Sequence, residues 1–114
     1  MSDQIAEHID TASEALREAM HLGAVTPEYP SDIALRADNL VDLLGNLSQI
    51  TLRLARAAEA APTSFDLGSD DHTAPIEHTA AAHNALLEAV EQIEAAHRLA
   101  NEAFSALSHL KVAS

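Results

Sequence analysis

From Leu40 onward, apolar side chains recur at alternating steps of three and four: Leu40, Leu43, Leu47, Ile50, Leu54, Ala57, Ala61. A second series, Leu86, Val90, Ile93, His97, Ala100, Phe104, Leu107, keeps the same rhythm. This is the seam of a helix packed lengthwise on another, as in a coiled coil. An earlier stripe, Ile5, Ile9, Ala12, Leu16 and Ala19/Met20, has the same period. Three helices follow, over about 3–22, 31–61 and 74–110, separated by a connector and by a loop over 62–73. The predicted fold is all-α, an antiparallel three-helix bundle forming a single domain over 1–114.

The punctuation agrees with that division. Ser2 is placed to cap the first helix, with Asp3 and Glu7 at its positive end and Gly23 just past its stop. Pro27 and Pro30 keep Thr26–Pro30 out of the helical conformation. The second helix begins at Ser31 or Asp32 and is expected to end at Pro62, with Arg53 and Arg56 toward its negative end. Gly45 costs it about 1 kcal/mol against alanine. Close approach of a neighbour and a kink are the two explanations, and the unbroken register favours close approach. Pro75 suits the first turn of the third helix. In the loop, Phe65 and Leu67 can fold back to close the bundle end or serve as a docking motif; the first is favoured.

At about 1.5 Å per residue, the second and third helices are about 45 and 50 Å long and the first about 30 Å. The first helix is therefore expected to cover the half of the hairpin around Ile33–Ile50 and Leu87–Phe104. The other half, Leu54–Ala61 with Ile76–Ala85, is left bare and rich in alanine. A homodimer completing a larger helical bundle is the simplest way to cover it. The expected interface residues are Leu54, Ala58, Ala61, Ile76, Ala80 and His83.

Composition sharpens this picture. Alanine supplies about a fifth of the chain, with two Phe, one Tyr and no Trp, so the core is thin and a monomer marginal. The formal net charge is −12. Residues 1–30 carry six acids against Arg17 alone. No basic stripe exists to meet phosphates, which argues against nucleic-acid and anionic-membrane partners. The partners expected are a second copy of the chain and, as an alternative, a basic or helical protein docked on the acidic first helix. There is no cysteine, and the N-terminus has neither a basic nor an apolar signal region. No apolar run approaches the ~20 residues of a membrane span, so a cytoplasmic location is expected.

Candidate chemistry is sparse. The chain has seven histidines. His83 and His97 fall on the seam, where burial and nearby acids such as Glu94 can shift a histidine through the physiological range. Two Glu-x-x-His motifs, Glu18–His21 and Glu94–His97, have the spacing that resembles the iron-holding motif of ferritin-like bundles. Such sites need a glutamate from each of two further helices, and the middle helix offers none on its seam. Asp70, Asp71 and His72, near Glu77 and His78, form a second cluster, read as caps and solvent-facing charges. No phosphate loop, nucleophile elbow or zinc-protease motif is present. His109-Leu110-Lys111-Val112 lacks the Lys-Gly pattern of histidine phosphotransfer domains. Neither enzymatic activity nor a cofactor is expected. In size, acidity and absence of cysteine the hairpin is similar in architecture to small secreted proteins of actinobacterial type VII systems. Their turn carries Trp-x-Gly where this loop has Phe65-Asp66-Leu67-Gly68, and the N-terminal helix here is an addition.

Overall fold

The computed structural model describes residues 3–23 and 28–113. Three helices and no strand occur among them: α1 (Gln4–His21), α2 (Pro30–Ser64) and α3 (Pro75–Ser108). Ser2 and the Thr26–Pro27 part of the connector lie outside the described residues. Asp3 caps α1, its side chain accepting hydrogen bonds from the N–H groups of Ile5 (3.0 Å) and Ala6 (3.2 Å). Pro30 and Pro75 open α2 and α3, where a missing N–H costs nothing. Asp32 and Glu77 add negative charge in those first turns.

Pro62 does not end α2. The helix runs on to Ser64, and the Phe65 N–H closes it by donating to the Ala61 carbonyl at 3.0 Å. So near the end, proline removes one hydrogen bond, and the hydroxyls of Thr63 and Ser64 both return to the Ala60 carbonyl. Arg53 and Arg56 consequently sit two turns or more before the true end, beyond the reach of the helix dipole, and the last turn holds no base. The loop closes with Leu67 half-buried, but Phe65 stays 70% exposed.

Helices α2 and α3 form a close antiparallel hairpin. Its register is fixed by three meetings: Ala55 with His83, Ser48 with Glu94, and Gly45 with His97. On α3 the seam is the expected one, with Val90 buried and Leu86, Ile93, His97, Ala100, Phe104 and Leu107 half-buried. On α2 the seam lies one residue further on than expected. It follows Val41, Leu44, Ser48, Thr51, Ala55 and Ala58, whereas of the expected row Leu40, Leu47, Leu54 and Ala57 are exposed and Leu43, Ile50 and Ala61 are half-buried. One residue is 100° of helix rotation. The small side chains of this row allow α3 to approach closely, and Ala55 is fully buried at that approach.

At Gly45 the neighbour is the His97 ring, whose nearest atom would lie 3.5 Å from an added Cβ. That is ordinary van der Waals contact, so the site accepts a methyl group. Gly45→Ala is expected to raise stability by about 0.5–1 kcal/mol through lower unfolded-state entropy and better helix propensity. Urea unfolding measures this; a lower midpoint would show that the His97 ring needs the gap.

Helix α1 lies antiparallel beside α2 with its start near Leu54 and Ala57 and Leu16 near Leu43. No Cα of α1 comes within 8 Å of either long helix, and none of its residues is buried. The stripe Ile5, Ile9, Ala12, Leu16 and Met20, expected to be core, is exposed. It faces the bulky row of α2 rather than the small-residue row, and no described residue fills the space between. The molecule is long and thin, 68 × 27 × 22 Å. Its radius of gyration is 19.4 Å, against about 13 Å for a compact domain of this length.

Candidate interaction surface

Two apolar rows on one helix are the origin of the surface. α3 covers the row of small residues on α2. The row of large ones looks toward α1: Leu43, Leu47 and Ile50 across a cleft of about 720 Å³, and Leu54 across its continuation. Ile5, Ile9, Ala12 and Leu16 line its other wall, with His8, Ser13 and Asn46 among them. The cleft continues past Arg53 and Ala57 toward Asp3 and Leu86. Both walls are apolar, and both remain open to solvent.

The cost of that opening is visible in the exposed area. A compact monomer of this mass presents about 6,000 Å², whereas this chain presents 9027 Å². Among the described residues its buried apolar side chains are Ala55 and Val90. Burial of apolar area contributes roughly 25 cal/mol per Å², so the uncovered rows hold a large unused driving force.

The residues expected at an interface divide between two places. Leu54 is 56% exposed on the cleft, and Ile76 is 65% exposed near the start of α3, beyond α1. Ala80 is exposed as well. Ala58, Ala61 and His83 are half-buried in the hairpin seam instead. His83 Nδ1 donates to the Ala55 carbonyl at 2.9 Å, which assigns the proton to that nitrogen. Its Nε2 lies 3.8 Å from a Glu59 oxygen. Ile5, Ile9, Leu43, Leu47 and Ile50 join Leu54 on the cleft and were not among the expected interface residues. Their signal was present in the sequence as two adjacent apolar rows on α2, of which only one can face α3.

The metal-motif residues do not converge. Among the described residues no three His, Asp or Glu side chains come together as a metal-holding group. Glu94 instead accepts a long hydrogen bond from Ser48 Oγ, 3.5 Å, and His97 packs on Gly45. Glu18 and His21 are exposed on α1.

Asp71 organises the loop before α3. Its carboxylate accepts from Ser69 Oγ (2.6 Å), His78 Nε2 (2.8 Å) and the Thr73 N–H (3.0 Å). The Ser69 hydrogen bond, then those of His78 and Thr73, hold its carboxyl well below the usual carboxylate range. A depressed carboxyl stabilises the folded loop above the ordinary range near pH 4, and the contribution is lost as pH falls through the lowered value. In an NMR titration Asp71 is expected to be among the last carboxyls to protonate, with Thr73 amide protection lost alongside it. A midpoint in the ordinary range would contradict this. Asp71→Asn should remove the acid dependence of Thr73 protection.

Compared with known proteins, the chain matches no family model, no curated protein and no solved structure. Among the described residues, no helix is long and apolar enough to cross a membrane.

Proposed function

We propose that this chain is a non-enzymatic, self-associating protein–protein interaction module, and that association covers the apolar cleft between α1 and α2. The observation that carries this is the pair of unpartnered apolar rows facing each other across open space. The excess of exposed area, about 3,000 Å² over a compact monomer, is more than a standard interface takes from each partner, about 800 Å². Apolar burial then supplies the binding energy, with no catalytic group required.

A second reading has its own observation. The acids Glu7, Asp10, Glu14 and Glu18 are exposed along α1, and none belongs to an ion pair among the described residues. An adaptor would present this face to a basic partner. Salt separates the two: screening within about 10 Å at 0.1 M weakens contacts between exposed charges but not apolar burial. Light scattering on a size-exclusion column should show a dimer that persists in molar salt. Dissociation at high salt would show that charges hold the copies together and would count against apolar self-association.

A further inference from the structure

The attachment of α1 differs in kind from that of the two long helices. α2 and α3 are tied along their length by His83 on the Ala55 carbonyl, Ser48 on Glu94, and the His97 ring on Gly45. Among the described residues no such tie crosses from α1 to the hairpin. The side-chain hydrogen bonds of α1 close on its own turns, from the Ile5 and Ala6 N–H groups to Asp3 and from Thr11 Oγ1 to the Glu7 carbonyl. No ion pair links it to α2 or α3. Packed helices have axes about 8–10 Å apart, which brings facing backbones well inside that distance. α1 has no Cα within 8 Å of either neighbour and no buried residue.

The helix is also complete without the hairpin. Asp3 caps its start, and the Leu22 N–H closes its end on the Ala19 carbonyl at 3.2 Å. What it offers the hairpin is apolar: Ile5, Ile9 and Leu16 stand across the cleft from Leu54, Leu47 and Leu43. Apolar attraction has no direction and needs no fixed geometry. It draws α1 toward the bulky row without holding it at one distance.

We infer that α1 is a movable arm, which swings on and off the bulky row of α2 while the α2–α3 hairpin stays folded. The hairpin is the fixed wall of the cleft and α1 the moving one, so the arm sets how far Leu43, Leu47 and Leu54 are open. The arm is a property of the single chain and does not depend on whether copies associate. Its own helix is short-lived when it is away, because a helix of 18 residues without tertiary packing is marginal in water. The amides of α1 therefore open far more often than those of the hairpin seam.

Hydrogen exchange of the full chain, followed by mass spectrometry over a dilution series, tests this. At the dilute limit, amides over Gln4–His21 are expected to exchange roughly a hundredfold or more faster than those of Ser48, Ala55 and Val90. Protection of α1 equal to that of the hairpin at this limit would overturn the inference. Ala12→Pro is the companion variant, breaking α1 near its middle. α1 supplies 18 helical residues against 35 and 34 in α2 and α3, so up to about a fifth of the helical circular dichroism is expected to disappear. The hairpin amides should keep their protection in this variant. A fall in hairpin protection of about tenfold or more at the dilute limit would show that α1 supports the fold and would overturn the inference. Neither readout counts subunits, so a failure of self-association, seen as mass, is distinct from a failure of the arm.

Discussion

Leu54→Asp is expected to turn the dimer into a monomer without unfolding it. Leu54 is more than half exposed in the single chain, on the face of α2 turned away from α3, so a charge there costs the monomer little. In the proposed associated state the same side chain lies at the end of the covered row, where an aspartate would be desolvated without a partner. Losing an apolar anchor costs about 2–4 kcal/mol, or roughly a 30- to 1,000-fold weaker dimer. Sedimentation gives the mass, and far-UV circular dichroism gives the helicity. Parent-like sedimentation would remove Leu54 from the interface. Lost helicity would show that the residue supports the fold instead.

Its neighbour should behave in the opposite way. Ala55→Leu is expected to destabilise the fold by about 1–3 kcal/mol by overpacking the tightest point of the hairpin. Ala55 has no exposed surface, and its carbonyl accepts the His83 Nδ1 hydrogen at 2.9 Å. Three added carbons must push α3 outward, stretching that hydrogen bond and disturbing the seam toward Ser48. Domains are stable by only about 5–15 kcal/mol in all, and this one buries few large side chains, so the loss is a substantial fraction. Urea unfolding followed by circular dichroism would record a lower midpoint. An unchanged midpoint would mean that α2 turns a different face to α3.

Those adjacent residues also show how far the sequence could be read. Helix number, order and approximate length followed from apolar spacing and from Pro30 and Pro75, because period and breakers are local properties. The rotation of α2 did not follow. Its large side chains, Leu40, Leu47 and Leu54, mark one row, and the adjacent row of Ser48, Thr51, Ala55 and Ala58 looks too weak to be a core. In a close pair of helices the smaller row is preferred, because it lets the backbones approach. The difference moved Ala58 into the hairpin and Leu47 onto the open surface. On α3, with Val90, Ile93 and Phe104 in a single strong row, no such ambiguity existed, and the seam was legible throughout.

Pro62 was misread for a related reason. Proline disrupts a helix through its lost N–H and its clash with the preceding turn, yet one turn before an exposed end there is little left to disrupt. Gly45 was read correctly as a point of approach, though the group that approaches is the His97 ring, and a methyl group would fit beside it. The loop acids, expected as caps, do not cap α3, whose N-cap Ala74 receives no side-chain hydrogen bond, and the convergence of Ser69, Thr73 and His78 on Asp71 depends on a turn that spacing alone does not fix.

The most direct test of the central claim is sedimentation equilibrium of the untagged protein over a wide concentration range. Covering the cleft by a second copy predicts a mass approaching twice the 12.1 kDa of one chain as concentration rises. A mass of one chain at every concentration would contradict self-association.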